Sequence, residues 1–322
     1  MDAAGIEGDY LPWDDVLHQG PVPAGLSDED LRRMRAAFLA ESRRAAQWET
    51  LPFFTARDRA LVGADDALLW FEADLYDQLQ LIQILDMRAR AGGGARLICI
   101  GSFPGKPDFK GLGELGPHEL RTLVGTDHDV DEAEFDLAER AWHAFRSPNP
   151  SAIERLLAAG TSALPFLGDA LRRHLEEFPA VEDGLSSTQR MILEAVAVGV
   201  RGWTRIFGRL IEIEARPFVD DRTIRDYLVN LMTGPRPLLT GAGPFLDLQM
   251  RLRKGDWPRE SKVYQAAAAD ELNLTSTGEA VLAGDADFVE LNGIDCWFGG
   301  VHLTDRAPGW RWSRQKNRLV QA

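Results

Sequence analysis

The fold is decided by LLWFEADLYDQLQL, residues Leu68–Leu81, where a strand pattern changes directly into a helix pattern. Ala67–Phe71 is a short apolar run of the kind that forms buried strands. Leu75, Leu79 and Ile82 then recur at the spacing of an amphipathic helix. Acidic residues occupy the junction between the two patterns. Because ligands of open α/β sheets bind beyond the carboxyl ends of the strands, this junction is the first candidate for a binding site.

A second apolar strand follows. Leu97–Ile100 is a continuous apolar run typical of buried parallel sheets, and it ends in the loop Gly101–Gly105. Strand, helix and strand in this order predict a βαβ unit with a right-handed crossover. Gly92–Gly94 carries no GxGxxG or GxxxxGK[ST] pattern, so it is a linker. We predict an α/β fold with a small, Rossmann-like parallel-sheet domain at the N-terminus.

Four segments are predicted along the chain. Residues 1–130 form the α/β domain with acidic strand-edge loops, and residues 131–185 form a helical connector. Residues 186–284 resemble a winged helix, because three short helical patterns are followed by strand-like runs and a closing helix. Residues 285–322 form a β-rich C-terminal segment, a β-hairpin whose first strand is Cys296–Leu303.

The net charge of −14 is unevenly distributed along the chain. Residues 1–185 hold 18 Lys and Arg against 33 Asp and Glu, a balance of −15. Residues 186–322 hold 18 against 17, a balance of +1. The acidic half would repel a phosphate backbone, which disfavours nucleic acid as a partner. The simpler interpretation of the acidic surface is solubility.

Two further features concern the compartment. Cys99 and Cys296 are far apart and in no CxxC spacing, which disfavours a disulfide framework or a zinc ribbon and favours a reducing compartment. No segment has the apolar length of a membrane span, and no signal peptide is visible. We therefore predict a cytoplasmic protein with no membrane partner.

Candidate site residues cluster at the two predicted strand-edge loops. We predict Asp14, His18 and Glu72 as catalytic residues, and Asp15, Asp74, Asp77, Gln78 and Phe103 as ligand-binding residues. Such groups would bind a small molecule, supply general acid and base groups, or hold a divalent cation through oxygen atoms. No HxH, HxxxH or HExxH spacing is present, so no metal ligand is assigned, and the pattern names no cofactor.

Several of these residues have a structural alternative. Asp74 stands at a helix N-cap position and Asp77 three residues later, where the positive end of a helix stabilises a carboxylate, so capping is the favoured interpretation for both. Glu72 has no obvious local role at the end of its strand. His18 would titrate near neutral pH, although a loop histidine is as often structural as catalytic.

A helix is predicted to begin at Ser27, since Ser27-x-x-Asp30 resembles a capping box. Five arginines lie on or near the face opposite its apolar residues: Arg32, Arg33, Arg35, Arg43 and Arg44. A solvated surface is the favoured interpretation of these arginines. The alternative is that they hold an anion near the acidic loops.

Seven segments together resemble bacterial proteins grouped as domain of unknown function 1835. They are Trp13–Pro21, Trp70–Leu79, Leu97–Gly105, Gly184–Ser186, Gly234–Leu238, Leu291–Asp295 and Trp297–Leu303. The resemblance covers nearly the whole chain and implies family membership without a particular activity. Relatives usually carry an extra strand before the equivalent of Ala3–Gly5, which this chain would lack. They also tend to have His at the position of Ala73, which would remove one ligand or base.

These features predict a small-molecule-binding or hydrolytic, enzyme-like protein that uses an acidic pocket at the strand carboxyl edge. The alternative is a non-enzymatic regulator that contacts nucleic acid or protein through the winged-helix-like unit. In its third helix Asp220, Asp221 and Asp226 outnumber Arg222 and Arg225, where phosphate contacts would need the reverse. A protein partner or a homo-oligomer is left open.

Overall fold

The computed structural model describes residues 4–41 and 47–321, which form a mixed α/β protein with many helices and small sheets. The chain divides into two compact units, which we describe separately. Unit 1 runs to His174 and includes Trp297–His302, and unit 2 holds Leu175–Cys296 and the residues from Leu303 onward. The four-segment division stays a prediction. Within the described residues we find no helix with the length and apolar character that a membrane crossing requires.

The elements up to the first unit boundary alternate between helices and short strands. They are α1 Asp28–Glu41, α2 Gln47–Gly63, β1 Leu68–Glu72, α3 Leu75–Arg90, β2 Arg96–Ile100, a 3₁₀ helix Leu112–Glu114, α4 Pro117–Arg121, β3 His128–Asp129, α5 Glu132–Arg146, α6 Ser151–Ala159 and α7 Leu167–Leu175. Helices α5, α6 and α7 lie in the segment predicted as a helical connector, residues 131–185.

The predicted strand–helix–strand unit is confirmed. Strands β1 and β2 pair in parallel from Leu68 opposite Arg96 to Glu72 opposite Ile100, and α3 connects them. The two strands therefore end level with one another, which places their carboxyl ends at one edge of the sheet. The two-residue strand β3 adds an antiparallel neighbour to β2, which the sequence pattern did not predict.

Helix α3 is the most deeply buried element of unit 1. Its apolar residues Leu79, Ile82 and Leu85 are fully buried, and the helix packs against β1 and α5. Polar side chains on the same helix are also buried, namely Gln78, Gln80, Gln83, Asp86 and Arg88. A buried polar group needs a hydrogen-bond partner, so the contacts of these side chains fix what surrounds the helix.

One predicted strand is wrong. Cys296–Leu303 is not continuous, because the turn Gly299-Gly300 separates two strands. Gly299 has a φ of +61°, and a Cβ on either glycine would overlap the backbone of Phe145 or Arg146. The Gly300 amide donates to the Phe145 carbonyl oxygen at 3.0 Å. Only a residue without a side chain can approach the end of α5 this closely.

The remaining elements begin with three helices and end with strands. They are α8 Ser187–Ala197, α9 Trp203–Ile213, α10 Asp221–Thr233, β4 Leu239–Thr240, α11 Pro244–Arg253, α12 Ser261–Ala269, β5 Asn273–Leu274, α13 Ser276–Ala283, α14 Phe288–Asn292, β6 Ile294–Phe298, β7 Val301–Asp305, β8 Trp310–Ser313 and β9 Arg318–Gln321. Strands β4 and β5 pair antiparallel, as do β8 and β9.

The core of unit 2 follows the apolar pattern of its first three helices. Helix α8 begins with a capping box formed by Ser186 and Gln189. Ile192 of α8, Leu210 of α9 and Leu228 of α10 are buried in one cluster. Helices α11 and α12, between β4 and β5, were not predicted.

Candidate functional site

The junction of β1 and α3 is held by two of the predicted acids. Asp74 is the N-cap of α3, and its side chain accepts a hydrogen bond from the Asp77 amide at 3.0 Å. The Asp77 carboxyl accepts in turn from the Glu72 amide at 2.6 Å. Capping is thus confirmed for Asp74, while Asp77 ties the start of the helix to the end of the strand.

Glu72 has a structural contact that its local sequence did not reveal. Its Oε1 accepts from the Leu112 amide at 2.7 Å, at the start of the 3₁₀ helix. The carboxylate approaches so closely that a Cβ on Gly111 would overlap it. Glu72 therefore joins the carboxyl end of β1 to the segment that follows β2.

The carboxyl groups of Glu72 and Asp77 both have raised pKa values. Burial raises the pKa of the Glu72 carboxyl, the Leu112 amide opposes that shift, and the charge of Glu114 adds to it. Burial, followed by the charges of Asp74 and Glu72, raises the pKa of Asp77 to about 8. The protonated form of Asp77 is therefore favoured, because a second or third carboxylate in a dry site is unfavourable.

Gln78 and Phe103 serve internal packing at the same edge. The Gln78 Nε2 donates to the Glu72 carbonyl oxygen at 2.6 Å and lies 3.4 Å from the Cys99 Sγ, which links the ends of β1 and β2. The Phe103 ring is 6.2 Å from that of Phe109 and packs on the cluster around Ile98. Neither contact is with a group of the 14–18 loop.

Asp15 of that loop belongs to a buried ion pair. Its Oδ1 accepts from the Arg35 Nη2 at 2.6 Å, and each side chain is only 2% exposed. Arg35 also donates to the carbonyl oxygens of Val16 and Gln19, at 3.1 and 2.6 Å. The Asp15 carbonyl oxygen accepts from Gln80 of α3 at 3.0 Å. This network fixes the loop between α1 and α3.

Asp14 and His18 both contact Tyr76, a residue for which the sequence pattern predicts no role in the site. The Tyr76 hydroxyl donates to the Asp14 Oδ1 at 3.1 Å, and the His18 ring lies edge-on to the Tyr76 ring at 6.1 Å. Burial, then the charge of Asp14, raises the pKa of the Tyr76 phenol. Asp14 and His18 thus share one neighbour, whereas the Glu72 carboxylate contacts Leu112. The catalytic assignment of Asp14, His18 and Glu72 stays a prediction.

A pocket of about 350 Å³, measured with its opening to solvent, lies among α1, α2 and α3 beside Trp142 of α5. Asp15 and Arg35 form part of its wall. Arg90 on another wall donates to Asp28 at 2.9 Å, and to Asp86 at 3.0 Å. The remaining charged lining residues are Arg32, Arg57 and Asp58. Charged side chains of α1, α2 and α3 thus line the pocket.

The sequence pattern does not reveal this pocket, because the arginines of α1 are interpreted as a solvated face. That interpretation is wrong for Arg35, which is buried, and correct for Arg33, which is exposed. A usable signal was present: Leu31, Arg35 and Leu39 share one helix face at i, i+4 and i+8. Arg43 and Arg44 lie outside the described residues. No interpretation was attached to residues 51–63, which supply Arg57 and Asp58.

Metal chemistry and known relatives give no further guidance. Across residues 4–41 and 47–321 we find no group of three or more His, Cys, Asp or Glu side chains arranged to hold a metal ion. No protein-family profile, curated protein or solved structure matches the chain. The resemblance to the domain of unknown function 1835 family therefore stays a prediction.

Proposed function

We propose that the protein is a small-molecule-binding protein whose ligand occupies the pocket among α1, α2 and α3. The observation that carries this proposal is the pocket itself, an opening lined by both ionic and apolar side chains. Ligand sites combine a concave apolar wall with a few fixed polar groups. Asp15, predicted as a ligand-binding residue, belongs to the lining.

A thermal-shift screen of small molecules tests this function. The Leu31 side chain lines the pocket and is 5% exposed, so Leu31→Phe adds a ring inside it. We expect ligands that raise the melting temperature of the wild-type protein to lose that effect in Leu31→Phe and keep it in Glu72→Gln. Loss in Glu72→Gln alone would move the site to the acidic strand edge. A screen without any stabilising small molecule would contradict the proposal.

The acidic strand edge is the second candidate, as the site of a hydrolytic function. Its support is the raised pKa of the Asp77 carboxyl, which accepts from the Glu72 amide at the carboxyl end of β1, where α/β proteins bind ligands. Carboxyl groups with raised pKa values act as general acids at neutral pH. Asp14 and His18, next to Tyr76, would complete the polar groups of this site.

Asp77→Asn tests whether the Asp77 carboxyl holds a proton. Asparagine keeps an acceptor for the Glu72 amide but cannot titrate. The folded-state pKa of Asp77, about 8, lies above its ordinary value of 3.8, so the folded chain keeps a proton that the unfolded chain loses between these values. Wild-type stability should therefore fall as pH rises through this window, by up to about 1.4 kcal/mol per pH unit. Asparagine keeps an acceptor oxygen and does not titrate, so Asp77→Asn should lack this decline.

The measurement is urea unfolding of both proteins at intervals between pH 5 and pH 8. The variant should gain stability relative to the wild type as pH rises, while the exposed Asp136→Asn variant should follow the wild type. Parallel curves for the wild type and Asp77→Asn would show that Asp77 ionises normally and would remove it as a proton-holding group.

The finer fold assignments are also proposals. The parallel β1–β2 pair and its connecting helix support a Rossmann-like sheet. Helices α8, α9 and α10, followed by the β4–β5 pair, support a winged-helix-like arrangement. That arrangement motivates the regulator alternative, but Asp221 and Asp226 engage Arg225 and Arg253 and leave α10 without a basic face. A duplex DNA oligonucleotide at low salt in the thermal-shift screen would reveal nucleic-acid binding, and we expect no shift.

A cytoplasmic location accompanies these proposals. Cys99 and Cys296 both carry thiols and are not joined in a disulfide, which fits a reducing compartment.

A further inference from the structure

Arg57 lies in the pocket and is almost completely removed from solvent. Its side chain is 2% exposed. The guanidinium carbon lies 3.7 Å from the centre of the Trp13 ring and 4.3 Å from that of Phe54. Two aromatic rings therefore hold the guanidinium in a fixed plane.

One nitrogen of Arg57 has no acceptor within the part of the chain that the structure describes. Its Nε and Nη2 both donate to the Asp58 Oδ1, at 3.0 and 2.9 Å. Its Nη1 is buried and has no hydrogen-bond partner among the described residues. Burial lowers the pKa of Arg57, and the charges of Asp58 and Asp15 oppose that shift. An arginine remains charged under such conditions, so a lining residue of the pocket carries a buried positive charge and a donor without an acceptor.

Arg32 repeats this pattern at a more exposed position. Its Nη1 donates to the Asp58 Oδ2 at 2.8 Å, and its side chain is 20% exposed. Its Nε is buried and likewise has no partner among the described residues. Asp58 thus serves two guanidinium groups, which leaves one positive charge in excess. Arg35 and Arg90, the other arginines of the lining, each have carboxylate partners of their own.

Two buried donors without acceptors are costly, at roughly 1–3 kcal/mol for each group. An anionic group placed between Arg32 and Arg57 would satisfy both and balance the excess charge. We propose that the pocket binds the carboxylate group of a small organic acid through the Arg57 Nη1 and the Arg32 Nε. This inference rests on the proposed function and adds the chemical class of the ligand.

A carboxylate fits this site better than a phosphate. The group of Arg32, Arg57 and Asp58 carries one excess positive charge, which a monoanion neutralises, whereas a phosphate dianion would make that group net negative beside Asp28 and Asp15. The planar fork of a guanidinium also matches the planar carboxylate. The apolar part of the ligand would lie against Leu31, Met87 and similar side chains of the lining.

Isothermal titration with three probes tests the inference on the whole chain. The probes are benzoate, the neutral amide benzamide and inorganic phosphate. We expect benzoate to bind at one site per chain in the millimolar range or tighter. Benzamide and phosphate should each bind at least about tenfold more weakly. Benzamide is neutral and loses the charge-assisted hydrogen bonds, and phosphate loses the charge balance.

Three variants locate the site. Arg57→Lys keeps the charge but removes the Nη1 donor, and Arg32→Gln acts at a more exposed position where folding is less at risk. Each should weaken benzoate binding by at least about tenfold. Arg33→Gln, on the same helix as Arg32 but in an exposed ion pair outside the lining, is the control and should change the affinity less than about twofold.

Each other outcome overturns the inference. Equal binding of benzoate and benzamide would retain a small-molecule pocket and remove the requirement for a carboxylate. Stronger binding of phosphate would assign the donors to an inorganic anion. Unchanged benzoate affinity in Arg32→Gln and Arg57→Lys would place the acid elsewhere. Absence of benzoate binding to the wild type would refute the carboxylate, while the small-molecule screen still decides the proposed function separately.

Discussion

Asp15→Ala is expected to lower the free energy of unfolding by about 4 kcal/mol, the largest single effect we predict in unit 1. The substitution leaves the Arg35 guanidinium 2% exposed without its carboxylate. The carbonyl oxygens of Val16 and Gln19 still accept from Arg35, but they carry no full charge to balance it. Urea unfolding followed by circular dichroism measures the loss.

Two controls separate the buried charge from simple removal of a carboxylate. Glu29→Ala removes a carboxylate from the exposed ion pair with Arg33 and should cost less than about 1 kcal/mol. The double variant Asp15→Val with Arg35→Met replaces the pair by apolar groups and should be more stable than Asp15→Ala. A loss in Asp15→Ala no larger than that in Glu29→Ala would show that the buried pair does not stabilise unit 1.

Asp183→Ala is expected to lower the free energy of unfolding by about 3 kcal/mol, the largest predicted effect in unit 2. The Asp183 carboxylate is fully buried and accepts from the Arg190 Nη1 at 2.6 Å and from the Arg314 Nη1 at 2.7 Å. Its Oδ1 also accepts from the Leu185 amide at 2.9 Å. It therefore joins the start of α8 to the turn between β8 and β9.

The expected loss is smaller than for Asp15 because the stranded cations reach water. Arg190 and Arg314 are 31% and 28% exposed, so each can recover hydration when the carboxylate is removed. Asp169→Ala, which breaks an exposed pair with Arg172, is the control and should cost less than about 1 kcal/mol. A change within 1 kcal/mol in Asp183→Ala would contradict a stabilising role for the network.

Local signals in the sequence predicted the elements well. The helix starts at Ser27, Asp74 and Ser186 follow from side chains that cap amides three residues away, so the information lies within one turn. The parallel strands follow from two apolar runs on either side of a helical pattern. Local periodicity is enough for such features because neighbouring residues alone determine them.

Partners distant in sequence could not be predicted. Glu72 has no local role in the sequence because its carboxylate accepts from the Leu112 amide, forty residues later. Asp15 is predicted to bind a ligand from its place in the acidic loop, whereas its partner Arg35 lies twenty residues later on a helix face interpreted as solvated. The strand break at Gly299 depends on the close approach of Phe145. Each of these outcomes depends on tertiary packing, which periodicity does not encode.

The central claim is that unit 1 binds a small molecule in the pocket among α1, α2 and α3. A crystal structure of the full chain grown with benzoate tests it most directly. We predict electron density for the carboxylate between the Arg32 Nε and the Arg57 Nη1, with the ring toward Leu31 and Met87. Benzoate bound instead at the Glu72 and Asp77 edge, or only at other surfaces, would contradict the account.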